Sequence, residues 1–88
     1  MVRRRVVVTG QVQGVFFRDS TRTVAQQQGV AGWVTNRPDG SVEAELEGPE
    51  EDVETVVSWM RSGPQHARVD HVEVDELPER GGSGFSVR

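Results

Sequence analysis

The sequence of 88 residues contains no cysteine and only two histidines, His66 and His71. A chain without cysteine forms no disulfide framework and offers no thiolate to a metal ion, and two histidines alone make a poor metal site. We therefore expect no bound metal, no other cofactor and no redox chemistry.

Long apolar runs are missing as well. The opening "MVRRRVVVTG" starts with positive charge, but only three valines follow before Thr9 and Gly10, which is far short of the apolar core of a signal peptide. No stretch approaches the length of a membrane span. These absences favour a cytoplasmic protein that has no membrane partner.

The chain is too short to divide its apolar residues between two cores, so the sequence predicts a single domain over residues 1–88. It contains no internal repeat, no coiled-coil seam and no long apolar edge strand. We therefore expect a monomer.

Lysine is absent, so all ten basic residues are arginines, and the formal net charge is -4. This charge argues against nucleic acid as a partner, because binding to a phosphate backbone normally requires a basic face. Six of the arginines lie in the first 37 residues, whereas the acidic residues gather at 43–54 and 70–79. The amino-terminal half can therefore attract a small anion, although most of its arginines are interpreted as solvated surface.

Alternating patterns predict the secondary structure. β-Branched residues and turn signals predict strands at 5–12, 30–36, 41–47, 68–75 and 85–88. Apolar residues at helical spacing predict one helix over 17–28 and a second that has Pro49 in its first turn and ends near Arg61. The order βαββαβ plus a short C-terminal strand predicts an α+β fold, the ferredoxin-like α/β sandwich, with both helices on one face of a mainly antiparallel sheet.

The segment "SVEAELE" alternates three apolar residues with Glu43, Glu45 and Glu47. This alternation is typical of a half-buried antiparallel strand, and we interpret the three glutamates as its solvated face.

The turn "GQVQG", Gly10 to Gly14, leads directly into the first predicted helix. Such a turn leaves several main-chain N–H groups without carbonyl partners, and these can form a nest that binds phosphate. Arg18 follows in the first helical turn, where its planar guanidinium can reach back onto two phosphate oxygens. The alternative interpretation is an ordinary connection with an arginine on the surface.

Asn36 ends the second predicted strand. In the predicted fold the third strand lies between the first two, which run parallel about 10 Å apart, so Asn36 and the glycine turn share one edge of the sheet. Asparagine is also an ordinary turn residue, and "NRPDG" fits a simple hairpin.

Four segments, "GQVQGVFFR", "GWVTNRPDGSVEAELEG", "GPQHARVDHVEV" and the closing "GFSVR", resemble the acylphosphatases, small metal-free enzymes that hydrolyse the carboxyl-phosphate bond. The resemblance extends from about Arg4 to Arg88. It implies a small-molecule acyl phosphate as substrate, Arg18 and Asn36 as catalytic residues, and Asn36 as the residue that holds the attacking water. It also implies a phosphate-binding set formed by Gln13, Gly14, Val15, Phe16, Phe17 and Arg18, the first five through main-chain N–H groups.

Two alternatives remain open from the sequence. One is a non-catalytic ferredoxin-like module that binds RNA on its sheet, although outward glutamates on a central strand repel phosphate. The other is a sensor that binds an acyl or carbamoyl phosphate, although a pure binder does not need a water-orienting amide such as Asn36.

Overall fold

The computed structural model describes all residues from Met1 to Arg88. Its elements follow the predicted order: β1 Val2–Gln11, α1 Phe17–Gln27, β2 Ala31–Asn36, β3 Val42–Gly48, α2 Glu50–Met60, β4 Arg68–Leu77 and β5 Phe85–Val87. β1 begins earlier than predicted and β4 ends later. Pro49 is the residue before α2 (φ -56°, ψ 140°) and not part of its first turn, because its ψ is extended.

The five strands form one sheet in the order β4-β1-β3-β2-β5. All neighbouring pairs are antiparallel except β2 and β5, which are parallel. β3 lies between β1 and β2, as predicted, and this is the ferredoxin-like arrangement. Val42 of β3 is opposite Val8 of β1 and also opposite Asn36 of β2. Asn36 is therefore level with Val8, near the end of β1, and lies two strand spacings or about 10 Å from it.

The hydrophobic core lies between one face of the sheet and the two helices. Val6, Val8 and Leu46 point from the sheet into this layer, and Val53 and Val56 of α2 meet them there; all five are fully buried. Alternate residues of β1 and β3 point to the opposite face, which we call the open face because no helix covers it.

The open face corrects one interpretation from the sequence: Glu43, Glu45 and Glu47 are not a solvated face. Arg3 donates to the carboxylates of Glu45 and Glu47 at 2.5 and 2.8 Å, and Arg5 donates to Glu43 at 2.6 Å. Arg3 and Glu47 are only 5% and 6% exposed. The reason is register, because β1 sets these arginines directly across from the glutamates of β3.

Arg4 likewise departs from the expected solvated surface. It is 7% exposed and points to the helical side of the sheet. Its guanidinium donates to Glu50 and Glu54 of α2 and to Glu76 of β4, so it ties the helix to two strands.

Neither helix is long and apolar enough to cross a membrane.

Candidate active site

The turn after β1 is shaped by Gly10. β1 shifts register against β4 between Thr9 and Gly10, and Gly10 has a φ of +130°. A Cβ at this position would lie 2.2 Å from the main-chain oxygen of Arg68. The positive φ and this contact both require glycine, and the atom that excludes a side chain belongs to β4. The conformation of Gly10 therefore directs the main chain away from the regular strand and into the turn.

The main-chain N–H groups from Val12 to Phe16 are used neither in the sheet nor in α1. None of these five groups donates to a main-chain carbonyl. Gly14 has a φ of +75°, and a Cβ placed on it would meet no atom within 4 Å. The space beside Gly14 is therefore open to a ligand as well as to solvent.

Helix α1 begins without a side-chain cap. Its N-cap residue is Phe16, in the left-handed conformation (φ 64°, ψ 26°), where Ser, Thr, Asp or Asn would normally accept a hydrogen bond from the first turn. The N–H groups at the helix start, and the positive end of its dipole, therefore remain available to an anion. We call the segment from Gln13 to Phe17 the amide cradle.

Phe17 fixes the start of α1 to the rest of the molecule. Its side chain is 1% exposed and packs against Trp59 of α2 with ring centroids 5.5 Å apart. The next residue, Arg18, lies in the first helical turn, as predicted, and lines the same pocket as Gly14 and Phe16.

The C-terminal residue braces the Arg18 guanidinium. Nη1 of Arg18 donates to the main-chain oxygen of Arg88 at 3.2 Å, and the hydroxyl of Thr35 donates to the same oxygen at 3.1 Å. The main-chain N–H of Arg88 donates to Val34 of β2 at 2.8 Å. The Arg88 guanidinium lies 4.7 Å from the ring centroid of Trp33. One edge of the Arg18 fork is thus fixed while its other N–H groups stay available.

Asn36 meets the cradle in one pocket. The pocket has a volume of about 390 Å³, and its wall includes Gly14, Phe16, Arg18 and Asn36. The fold therefore brings together the two residues that the resemblance singles out, Arg18 from α1 and Asn36 from β2.

The side chain of Gln13 was missed by the sequence analysis, which assigned only its main-chain N–H. Its Nε2 donates to the main-chain oxygens of Arg37 and Ser41, at 2.8 and 2.9 Å. These two residues close the hairpin between β2 and β3, so Gln13 joins the cradle to the turn that follows Asn36. No local sequence signal indicates this contact, because its partners lie more than twenty positions away.

Hydrogen bonds to a side chain close the hairpin that follows Asn36. Asp39 accepts hydrogen bonds from the hydroxyl of Ser41 at 2.6 Å and from its N–H at 2.9 Å. These bonds, the hydroxyl first, hold the pKa of Asp39 below its ordinary value. The "PDG" hairpin signal is therefore confirmed.

The charged side chains of the pocket wall are Arg18 and Asp19. Asp19 is exposed, and its Oδ1 lies 3.7 Å from Nη2 of Arg22 on the same helix. His66 and His71 are exposed elsewhere and do not line the pocket. No group of three or more histidine or carboxylate side chains is arranged to hold a metal ion. Apart from Asp19, the site thus offers N–H donors, one guanidinium and one amide, a set suited to a tetrahedral oxyanion and an adjacent water molecule.

Comparison with known proteins bears on this site. The family model described as Acylphosphatase matches residues 4–87. A protein named acylphosphatase from Rubrobacter xylanophilus is 59% identical over 87 residues, which cover 98% of this chain and 79% of that protein. Another from Haloarcula marismortui is 50% identical over 86 residues, covering 98% and 94%. The crystal structure of acylphosphatase from Bacillus subtilis matches with a TM-score of 0.95 and 37% identity, over 100% of this chain and 99% of that one.

Proposed function

Because the chain belongs to the acylphosphatase family, we propose that its amide cradle and Arg18 bind the phosphoryl group of an acyl phosphate, and that Asn36 orients the water that attacks it. The enzyme hydrolyses the carboxyl-phosphate bond of a small acyl phosphate and releases a carboxylate and inorganic phosphate. The proposal concerns how residues of this chain carry out that reaction.

The leaving group explains why the pocket wall carries no histidine. A departing carboxylate has a conjugate acid with a pKa of about 4, so it leaves without being protonated. The remaining requirements are in-line positioning and stabilisation of the charge on the equatorial phosphoryl oxygens. Preorganised N–H donors together with a guanidinium meet the second requirement with little reorientation during the reaction.

Asn36 meets the first requirement. An amide neither takes nor releases a proton near neutral pH, so its contribution is orientation: its oxygen accepts a hydrogen bond from water and fixes the line of attack. The water proton passes to an oxygen of the substrate's own phosphoryl group. A turnover rate that is flat from mildly acidic to neutral pH supports this route, and a steep change near the histidine pKa contradicts it.

The observation that carries the proposal is the segment from Val12 to Phe16. Its five main-chain N–H groups have no carbonyl partner, and its residues Val12, Gly14 and Phe16 line one pocket with Arg18 and Asn36. Main-chain N–H groups nearly always have an acceptor, either in the protein or in water. An anion at the cradle supplies that acceptor.

The test compares Arg18→Ala with Arg61→Ala. Arg61 is an exposed arginine at the end of α2 and lines none of the pockets, so its variant controls for the loss of one positive charge. Phosphate release from acetyl phosphate is measured with EDTA present. We expect Arg18→Ala to reduce kcat/KM by a factor of at least about 10², and Arg61→Ala to leave it unchanged. Equal activity of the two variants contradicts the proposal. Binding of phosphate without any turnover in the unmodified protein would instead support the sensor alternative.

The proposal also includes one domain, a monomer and a cytoplasmic location. A monomer is supported by the surface, on which Met1 and Phe16 are the large hydrophobic side chains that stand exposed. Light scattering after size-exclusion chromatography measures the molar mass and so tests the monomeric state. Fractionation of the source cells tests the location.

A further inference from the structure

A second pocket lies beside β2, β5 and the loop from residue 80 to residue 84, and no residue lines both this pocket and the active site. Its volume is about 490 Å³, within the range of about 300–1,000 Å³ that is typical of ligand sites. Its wall includes Arg3 and Trp33, whose side chains belong to the open face of the sheet. We call it the loop pocket.

The loop pocket is positively charged, although the protein as a whole carries a net charge of -4. Arg3, Arg80 and Arg88 line it, and no aspartate or glutamate does. The charge of Arg3 is balanced by its ion pairs with Glu45 and Glu47. Arg80 and Arg88 form no ion pair, so the pocket presents two uncompensated guanidinium groups.

Arginines without an ion pair are the minority in this chain. Six of the ten arginines pair with a carboxylate. The other four are Arg18, Arg61, Arg80 and Arg88. Arg18 lines the active site and Arg61 lines no pocket, so the remaining two meet at the loop pocket. Two like charges that line one pocket attract an anion to it.

Arg88 is held in place by contacts within the protein. Its main-chain N–H donates to Val34 at 2.8 Å, and its guanidinium lies 4.7 Å from the ring centroid of Trp33. A guanidinium that rests on an aromatic face still presents N–H groups at its edge. An arginine restrained in this way loses little conformational freedom when it binds a ligand.

The loop adds main-chain donors to the same pocket. The N–H groups of Arg80 and Gly81 donate to Glu47 at 2.9 and 3.0 Å, which fixes the start of the loop. The next three N–H groups, in residues 82–84, donate to no main-chain carbonyl. Successive N–H groups in such turns form sites for phosphate and other anions.

We propose that the loop pocket binds an anion with two linked phosphoryl groups, which contact Arg80 and Arg88, and that the N–H groups of residues 82–84 are further donors. Guanidinium groups suit phosphoryl oxygens because their planar forks donate two parallel hydrogen bonds. The loop pocket is also larger than the active-site pocket of about 390 Å³, so it has room for more than one phosphoryl group. The inference does not rest on the proposed function, because no residue of the amide cradle contributes to it.

The first test is an NMR titration of the ¹⁵N-labelled protein with pyrophosphate, without divalent cations, at constant ionic strength and with inorganic phosphate present to occupy the cradle. We expect the amide resonances of residues 82–84 and the guanidinium Nε–H of Arg80 and Arg88 to shift together. Arg80→Ala should raise the dissociation constant by at least about tenfold, as for the loss of a charge-assisted hydrogen bond. Arg61→Ala removes an exposed arginine outside every pocket and should leave the constant unchanged.

Two results of this titration overturn the proposal. One is a set of shifts confined to the amide cradle, which means that pyrophosphate binds only at the active site. The other is an equal effect of Arg80→Ala and Arg61→Ala, which means that pyrophosphate responds to net charge and not to the loop pocket.

A calorimetric titration with pyrophosphate, ADP and sulfate identifies the source of the diphosphate group. We expect pyrophosphate and ADP each to bind at least about tenfold more tightly than sulfate, because only they present two phosphoryl groups. Tighter binding of ADP than of pyrophosphate assigns the pocket to a nucleoside diphosphate, and the reverse order assigns it to the inorganic ion. Binding of both no tighter than that of sulfate overturns the proposal.

Discussion

Replacement of Asn36 by alanine separates the orientation of water from the binding of phosphate. The main chain at Asn36 is held by pairing with Val42 and, in the next residue, by the hydrogen bond from Gln13 to Arg37. The substitution therefore removes an amide from the pocket wall without moving the hairpin. What is lost is one group that orients a reactant in the transition state.

The magnitude follows from that single interaction. Removal of one preorganised transition-state hydrogen bond raises the barrier by about 2.7–4 kcal/mol, which corresponds to a decrease in kcat of about 10² to 10³. KM should change by less than about twofold, because the cradle and Arg18 bind the phosphoryl group in the same way before and after the substitution. Gln26→Ala is the matched control, since it removes an exposed amide from α1 outside the pocket.

Asn36→Asp extends the test by keeping the shape and an acceptor oxygen while adding charge. A carboxylate near the phosphoryl group repels its negative oxygens, so KM should rise by at least about tenfold. Steady-state kinetics with acetyl phosphate measure both parameters. A kcat for Asn36→Ala equal to that of Gln26→Ala, or a KM that rises as far as kcat falls, would refute the role of Asn36 in orienting water.

Three further predictions concern the cradle, the turn and the open face. Arg18→Lys should lower kcat/KM by at least about tenfold, because a point charge cannot replace a planar fork; activity near that of the unmodified enzyme in the phosphate-release assay would count against a bidentate contact. Gly10→Ala should lower the free energy of unfolding by more than about 2 kcal/mol, because the new Cβ meets the backbone of β4 at a φ of +130°. Gly82→Ala, at a φ of +131° but in open space, should lower that free energy by less. Equal losses of the two variants in urea titrations would contradict this. The N–H groups of Gly81 and Arg80, together with Arg3, hold the pKa of Glu47 below its ordinary value. The Glu47 carboxylate therefore stabilises the fold above an ordinary glutamate pKa, and this stabilisation is lost as the pH falls through the lowered pKa. Glu47→Gln should accordingly lower Tm at pH 7 but not at the acid end of a series of thermal melts, and a lower Tm that persists at acid pH would contradict this.

The fold was predictable because its signals are local. The alternation in "SVEAELE", the "PDG" hairpin and the apolar spacing of α2 each require only a few neighbouring residues, and together they permit one common arrangement. The solvated interpretation of Glu43, Glu45 and Glu47 was wrong for the opposite reason. Their arginine partners lie about forty positions earlier in the chain, so only the register of β1 against β3 reveals the ion pairs.

The candidate site was predictable in part. The glycine turn, the arginine in the first helical turn and the asparagine at a strand end indicated the same edge of the sheet, and the family resemblance assigned their roles. The assigned roles stay predictions. Side-chain contacts across the fold were not predictable, namely the bridge from Gln13 to the hairpin and the contact of Arg18 with Arg88, because both depend on strands that meet only after folding.

The most direct test of the central claim is an NMR titration of the ¹⁵N-labelled protein with inorganic phosphate. If the cradle binds the phosphoryl group, the amide resonances of Gln13 to Phe17 and the guanidinium Nε–H of Arg18 should shift together and saturate with one dissociation constant. The rest of the sheet should remain nearly unchanged. Shifts that arise instead in the loop from Arg80 to Gly84, which borders a separate pocket of about 490 Å³, with the cradle unaffected, would contradict the account.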